Sequence, residues 1–453
     1  EEIAVLLAQF DEVLQRVNFT DSGRAMLDEN ILTRSLETID SDYAASSPLA
    51  LTLLGSVQET YYEIGLYDPA RSIGDDLLTR SRSMLGPEHP DTLRAMNNFG
   101  SALWALGEHK DAAQYLTAAL AARERQLGPL HPDTLTTRYN VGLNYSSQFD
   151  REAAVAEYRQ VLDGRRQVLG NEHEDTITAM NALGNVLSTV DNDASETLLV
   201  EAIETADRVF GPVNSEATIA RGNLGAHYYK MGRPDEAMAL FSQALDDSRQ
   251  LFGSDHSQTQ VLANNLGILS LYQGKFDEAE ALIRDVLESR QRLLGREHPK
   301  TLVTTNSLAG VFQQRKDYAA AIALFREALD ASRAGLGPDH PDTINTLGNV
   351  GWTLLLNNQL KEAEAALLEA RNAANRVLTG RIRGMILGKY GRFLLVAKRY
   401  DEAEQELLNA YEILTEAVGP EGRQTQLVVP DLIELYKTLG DEEKVKTWEV
   451  RRA

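Results

Sequence analysis

Apolar residues return at intervals of three and four along most of this chain. On one face of a single predicted helix lie Ala237, Leu240, Phe241 and Ala244. Many of these helical stretches are paired across a short turn that contains a glycine, such as Gly232. The pattern predicts an all-α protein made of antiparallel helix hairpins, with helix A before the turn and helix B after it.

One short phrase of sequence, a motif of eight residues, recurs along the chain at a nearly constant interval. Its first copies are LGPEHPDT at Leu85–Thr92 and LGPLHPDT at Leu127–Thr134. The glycines of this phrase and of its weaker copies are Gly86, Gly128, Gly170, Gly211, Gly253, Gly295, Gly337, Gly380 and Gly419. Their spacing is 42 residues with rare slips, which indicates a repeat protein. Because glycine suits the left-handed position after a helix and proline the first helical turn, the phrase predicts a B-to-A connector. We expect its Asp and Thr to cap the next helix.

Small residues recur where helices A and B must approach closely. Helix A carries Gly100, Gly142, Gly184, Gly225, Gly267, Ala309, Gly351 and Gly391. Helix B carries Ala70, Ala112, Ala154, Ala237, Ala279, Ala321, Ala363 and Ala403. Short side chains allow two helices to pack at short distance, so these positions are expected to determine the crossing of A and B.

One repeat shows the full pattern Leu224, Gly225, Tyr228, Gly232, Pro234, Ala237, Phe241 and Ala244. This pattern resembles the tetratricopeptide signature, and the 42-residue form with its HPDT connector is similar to the repeats of kinesin light chains and many bacterial signalling proteins. The resemblance covers 47–453 in about ten repeats, of which the fourth (Asp191–Thr197) and the tenth (Tyr436–Trp448) are degenerate. It implies a right-handed superhelical solenoid whose A helices line a concave surface.

Residues 1–46 lack the repeat and are predicted to form an N-terminal helical cap. The stretches Val17–Thr20 and Leu36–Asp40 resemble the segment that precedes such repeats in bacterial serine/threonine protein kinases. No kinase residues are present, so the resemblance concerns origin and implies no activity.

The composition narrows the classes of partner. Forty-five Lys and Arg against 67 Asp and Glu give a net charge of −22, which argues against nucleic acid and favours neutral or basic polypeptides. The longest near-apolar stretch, Leu49–Val57, is too short for direct membrane insertion. The chain has no cysteine, so its redox compartment stays open.

We find no catalytic or cofactor-binding motif in the sequence and predict no enzyme activity, cofactor or metal. Six connector histidines invite a metal hypothesis: His89, His131, His173, His256, His298 and His340. Since successive connectors are about 10 Å apart in a helix stack, one histidine from each cannot converge on a metal whose ligands lie about 2 Å away. We expect each histidine to pack or hydrogen-bond locally.

Asparagine recurs in helix A two residues before the small residue, at what we call the stripe position. These residues are Asn98, Asn140, Asn223, Asn265 and Asn349, and a second set one residue earlier is Asn97, Asn181, Asn264 and Asn306. Asparagine is a mediocre helix former, so its recurrence needs another cause. A carboxamide can bridge the N–H and C=O of a peptide backbone; the alternative is that these amides bond to neighbouring helices. Trp352 is a further candidate for a groove.

These observations predict a protein- or peptide-binding scaffold that uses the concave face of the repeats, as a regulatory or sensory module of a larger bacterial protein. Two alternatives are a non-catalytic region of a serine/threonine kinase and a homo-oligomeric assembly element.

Overall fold

The fold was obtained as a computed structural model that describes residues 31–42 and 47–452. Helix α1 is Thr33–Asp42. The first five hairpins are α2 (Pro48–Glu63) with α3 (Tyr67–Leu85), α4 (Pro90–Ala105) with α5 (His109–Leu127), α6 (Pro132–Ser147) with α7 (Arg151–Leu169), α8 (Glu174–Leu187) with α9 (Asn192–Phe210), and α10 (Ser215–Lys230) with α11 (Pro234–Phe252).

Hairpins six to nine continue the same order of a shorter helix A and a longer helix B. They are α12 (Ser257–Tyr272) with α13 (Phe276–Leu294), α14 (Pro299–Gln314) with α15 (Tyr318–Gly335), α16 (Pro341–Leu356) with α17 (Leu360–Val377), and α18 (Gly380–Val396) with α19 (Tyr400–Val418). The tenth comprises α20 (Arg423–Gln426), α21 (Val429–Leu439) and α22 (Glu442–Val450). The prediction of an all-α fold of helix hairpins is confirmed.

The chain divides into two compact units, one ending at Ala263 and the other beginning at Asn264. Within each unit, helix A packs on helix B of its own hairpin, and helix B packs on the next helix A. In the first unit, α1 packs on α2, and Leu32 and Ile39 are buried in the core. Of the predicted N-terminal cap, residues 1–30 and 43–46 lie outside the described residues. No described helix has the length and apolar character of a membrane span.

The small residues lie at the A–B contacts, as expected. A Cβ added to Gly142 would come within 2.8 Å of the Tyr158 ring, so no larger residue fits without displacing that ring. Ala154, one helical turn before Tyr158, is fully buried. Close backbone approach at these positions therefore determines how each hairpin closes.

The connector histidines cap the A helices, and this corrects the expectation that Asp and Thr do so. In the second connector, His131 Nδ1 accepts a hydrogen bond from the backbone N–H of Asp133 at 3.2 Å. The threonine of the first connector bonds backwards, because Thr92 Oγ1 donates to the carbonyl of Gly86 at 2.8 Å. Imidazole nitrogen thus satisfies a backbone N–H that has no partner inside the helix.

The connector glycines also differ in detail from the expected left-handed cap. Gly128 has φ 86° and ψ 165°, a region that is essentially restricted to glycine. The A-to-B turns are more permissive, since Phe149 and Lys398 adopt φ 61° at the equivalent place. Glycine is therefore required more strictly in the connectors than in the A-to-B turns.

The fourth hairpin forms despite its degenerate sequence. Its helix A, α8, has 14 residues where α6 has 16. In helix B a buried serine replaces the usual alanine, and Ser195 Oγ donates to the carbonyl of Gly184 at 2.7 Å. A side-chain hydrogen bond thus accompanies the close contact between the two helices. The helix A of the tenth hairpin is broken into α20 and α21, and Pro430 lies in the first turn of α21.

Candidate functional site

The asparagines at the stripe position and those one residue earlier lie along the A helices. In hairpins two and three these asparagines hydrogen-bond to one another. Asn140 Nδ2 donates to Asn97 Oδ1 at 3.0 Å and to Ser101 Oγ at 3.2 Å. Asn97 Nδ2 donates to Asn98 Oδ1 at 3.1 Å, and Asn98 Nδ2 donates to Glu59 Oε1 at 2.8 Å. These amides therefore link the A helices of the first three hairpins.

Asn181 and Asn306 each contact the next helix A through the amide nitrogen of the side chain. Asn181 Nδ2 donates to the backbone carbonyl of Glu216 at 3.1 Å, and Asn306 Nδ2 donates to Thr346 Oγ1 at 2.9 Å. The Oδ1 atom of both side chains is buried and accepts no hydrogen bond from residues that the structure describes. Each amide joins two repeats and retains one unused acceptor.

Asn223 and Asn265 are placed differently from the linked amides. Both side chains are partly exposed, and neither forms a hydrogen bond with the described part of the chain. Next to Asn265, the Oδ1 of Asn264 is buried and likewise accepts no bond from the described ranges 31–42 and 47–452. An amide in this state can offer both a donor and an acceptor to a polypeptide backbone.

Asn349 has a charged partner, which sequence reasoning missed. Its Oδ1 accepts a hydrogen bond from Lys389 Nζ at 2.6 Å. Lys389 stands two residues before Gly391, at the stripe position of the ninth repeat, and Asp431 follows one repeat period later. The stripe therefore changes from amides to ionisable residues in the last two repeats. Register, rather than residue type, was the signal in the sequence that could have revealed this.

Lys389 and Asp431 line a cavity of about 370 Å³ within the second compact unit. The cavity is formed mainly by the A helices of hairpins seven to ten, and its walls include Trp352, Met385 and Leu427. The Trp352 ring, predicted as a groove residue, also packs partly against the core. Within the described residues, the Trp352 indole N–H has no hydrogen-bond acceptor.

Burial shifts the ionisation of both stripe residues at this cavity. It lowers the pKa of the Lys389 ammonium from its ordinary 10.5 to about 8. It raises the pKa of the Asp431 carboxyl to about 6, although Arg392, whose Nη1 lies 3.1 Å from Asp431 Oδ1, opposes the rise. At neutral pH most Lys389 amines are therefore protonated, and Asn349 is the hydrogen-bond partner.

The described side chains at the stripe positions offer hydrogen-bonding groups. Among the described residues, no group of three or more histidine, aspartate and glutamate side chains is placed to hold a metal. The connector histidines act as helix caps instead. At the stripe positions of the described A helices, the polar groups include amides, the Lys389 ammonium and the Asp431 carboxylate, which is paired with Arg392.

Fold and stripe together define an α-helical repeat protein whose hairpins, within each compact unit, present equivalent positions on successive A helices. The family model for the tetratricopeptide repeat matches residues 49–125, 114–167, 215–288, 258–334 and 303–376, which is more than half of the chain. The chain therefore belongs to the tetratricopeptide repeat family, and the resemblance inferred from the sequence is confirmed. The fourth hairpin lies mostly between the matched segments 114–167 and 215–288.

Several solved structures are similar to this chain. BtubC (BKLC) from P. vanneervenii is 21% identical with a TM-score of 0.45, covering 50% of this chain and 91% of that one. A protein described as a kinesin light chain with nearly identical TPR-like repeats, from Podosopora anserina, is 18% identical with a TM-score of 0.33, covering 54% and 97%. Rap protein complexed with competence and sporulation factor is 13% identical with a TM-score of 0.51, covering 80% and 97%, and shares the fold. No curated protein matches the chain.

Membership of this family has a general functional meaning. Tetratricopeptide repeats are protein-interaction modules that use the extended surface of their stacked helices. The repeat fold is typically a non-catalytic scaffold. A scaffold for protein interaction is therefore the function that the family implies.

Proposed function

We propose that this chain binds an extended segment of another polypeptide along the A-helix face of its repeats. One observation carries the proposal: Asn223 and Asn265 occupy stripe positions, are partly exposed and make no hydrogen bond within the described chain. Their amides can bond the N–H and C=O of a peptide backbone without reading its sequence. Within one compact unit, successive A helices about 10 Å apart would meet an extended chain at about every third residue.

The charge of the chain favours a neutral or basic segment as the partner. A net charge of −22 attracts cationic polypeptides over distances that salt shortens, so binding of a basic segment is expected to weaken as salt is added. Rap protein, which has the same fold, was solved in complex with competence and sporulation factor. That complex supports a binding role for stacked hairpins of this kind.

The proposal includes the setting of the scaffold. Residues 1–46 serve as an N-terminal cap of the repeat region 47–453, and the whole acts as a regulatory or sensory module of a larger bacterial protein. Support comes from the resemblance of Val17–Thr20 and Leu36–Asp40 to the segment before such repeats in bacterial serine/threonine kinases. The coding sequence upstream of Glu1 tests this part.

The binding proposal is tested with the full chain and an array of neutral and basic peptides. Replacing Asn223 and Asn265 together by Ala is expected to weaken peptide binding by about 30-fold, because two hydrogen bonds of about 1 kcal/mol each are lost. The melting temperature should not change, since neither amide has a hydrogen-bond partner among the described residues. Asn98→Ala is the matched control, because its amide already bonds to Glu59.

Two outcomes would contradict this proposal. One is a double variant that loses stability but keeps its affinity for peptides, since the amides would then serve the fold. The other is a wild-type chain that retains no peptide but forms concentration-dependent oligomers in light scattering, which would favour homotypic assembly.

A further inference from the structure

We propose that the contact between hairpins four and five is an acid-sensitive joint, which opens when the buried imidazole of His227 takes up a proton. His227 lies near the end of α10, which is the helix A of hairpin five. The residue is only 1% exposed. The proposal does not depend on peptide binding, because it concerns how two hairpins of the first compact unit pack on each other.

The first argument is that the imidazole of His227 has no hydrogen-bond partner. Both Nδ1 and Nε2 are buried, and neither bonds to a residue that the structure describes. A neutral imidazole has one donor and one acceptor, so the fold already leaves both unsatisfied. A protonated imidazole would add a second buried donor and a full positive charge, which costs far more than burying the neutral ring. The closed joint therefore favours the neutral imidazole.

The second argument is the position of His227 within the repeat. It stands two residues after Gly225, the small residue of its helix A. In hairpins two to nine this position is buried, and among its residues only His227 can change its charge near neutral pH. The other residues at this position are Ala102, Asn144, Val186, Leu269, Val311, Thr353 and Phe393. The joint between hairpins four and five thus has a titratable group where the others have none.

The third argument is the set of charges around the imidazole. Glu196 on α9 favours protonation, but it already accepts hydrogen bonds from Tyr228 Oη at 2.8 Å and from Arg233 Nη1 at 3.0 Å. Lys230 on α10 and Arg233 at the start of α11 oppose protonation. Helix α8 has no charged residue beyond its first turn, and α12 has none along its length. Burial, together with the two cations, therefore lowers the pKa of His227 from its ordinary 6.5.

The fourth argument is that hairpins four and five can separate without either hairpin unfolding. Polar contacts join them, since Asn181 Nδ2 donates to the carbonyl of Glu216 at 3.1 Å and Lys230 Nζ donates to that of Ser188 at 2.9 Å. Hairpin four is also the degenerate repeat, and its helix A has 14 residues where α6 has 16. Parting the two hairpins would expose His227 to water while helices A and B of each hairpin stay packed on each other.

Hydrogen exchange of the full chain tests the proposal between about pH 7.5 and about pH 5. Wild type is compared at each pH with His227→Leu, which introduces the side chain that Leu269 provides one repeat later. This comparison cancels the direct effect of pH on the exchange reaction. We expect the opening of α8 and α10 in wild type to increase, relative to the variant, by up to about 10-fold per pH unit below about 6.5, because opening takes up one proton.

Two results of this experiment would overturn the proposal. One is an equal pH dependence of exchange in α8 and α10 in wild type and His227→Leu. The other is a difference that spreads equally over α4 and α5, since that would indicate unfolding of the whole unit rather than opening of one joint.

A control and a second measurement complete the test. His131→Asn is the matched control, because His131 is a partly exposed connector histidine that caps α6, and the variant should keep the wild-type response in α8 and α10. Titration of the His227 ring protons by NMR in the wild-type chain requires no folded His227→Leu variant. We expect a pKa below 6.5 for His227, and a measured pKa at or above this value would overturn the proposal.

Discussion

The same stripe position has different surroundings in the two compact units. In hairpins two and three, Asn97, Asn98 and Asn140 bond to each other and to Glu59, and they join successive A helices. In hairpins eight and nine, Asn349 bonds to Lys389, which borders a cavity. A shared register therefore does not imply a shared role.

The difference depends on what the next helix A offers. Asn140 meets Asn97 and Ser101, so its amide hydrogens are both used inside the fold. Lys389 meets one amide oxygen and an open space. Where neighbouring side chains complement each other the stripe links successive A helices, and at Lys389 a stripe side chain also lines a cavity.

The largest expected effect on this comparison comes from Lys389→Met. At pH 7 we expect the free energy of unfolding to rise by up to about 3 kcal/mol, because the pKa of Lys389 is about 8 in the folded protein against 10.5 ordinarily. Between these two values the unfolded wild-type chain holds more protons than the folded one, so wild-type stability rises with pH. The advantage of the variant should thus shrink from pH 8 and vanish above 10.5.

Urea unfolding of both proteins across this pH range measures the effect. Only the difference between the two proteins matters, because other groups titrate equally in both. An advantage that stays constant with pH would show that the amine of Lys389 is not destabilised by burial.

A smaller effect separates the two kinds of amide. Asn97→Ala should cost about 2 kcal/mol, because Asn97 is buried and its two partners, Asn98 and Asn140, each lose a hydrogen bond. This cost should not depend on pH between 7 and 9.5, since no group of ordinary pKa in that range bonds to Asn97. Asn349→Ala removes the acceptor of an ammonium, so its cost should fall as the pH rises past about 8. If the free-energy costs of Asn97→Ala and Asn349→Ala changed with pH in the same way, the two amides would not differ in the manner described.

The smallest expected effect provides a control on the connectors, which are alike in both units. His131→Ala and His340→Ala should each cost about 1 kcal/mol, because both histidines accept from the backbone at 3.2 Å. Replacement by Asn should retain most of the stability, since its side chain also caps helices well. Thermal unfolding measures both changes. A large difference between the two sites would mean that the units differ in more than the stripe.

Much of the fold could be predicted because the residues that each hairpin needs recur in most of the repeats. The connector glycine, the turn and the small residue on helix A each recur with the same period, and their contacts are within a hairpin or to its neighbour. The residue that caps the start of helix A was predicted less well. Histidine Nδ1 fills a role that aspartate or threonine could equally fill, so residue type alone did not decide between them.

The candidate site was predicted only in part, and the reason lies in Lys389. The search for recurring asparagine found Asn349 but passed over the lysine at the same position of the next repeat. The presence of a cavity could not be predicted, because it depends on how the A helices of four hairpins converge. Trp352 was identified in the sequence, but only the structure shows that its indole N–H has no acceptor in the described part of the chain and that its ring lines a cavity.

The sequence by itself determined that this is an all-α chain of tetratricopeptide hairpins, with a strip of amides in constant register. Those features are local, because periodicity, helix ends and small residues act within one repeat or between neighbours. Tertiary structure decided which of these polar groups form hydrogen bonds within the fold. Asn140 and Asn97 are 43 residues apart and Lys389 and Asn349 are 40 apart, so whether an amide is satisfied depends on side chains that only packing brings together.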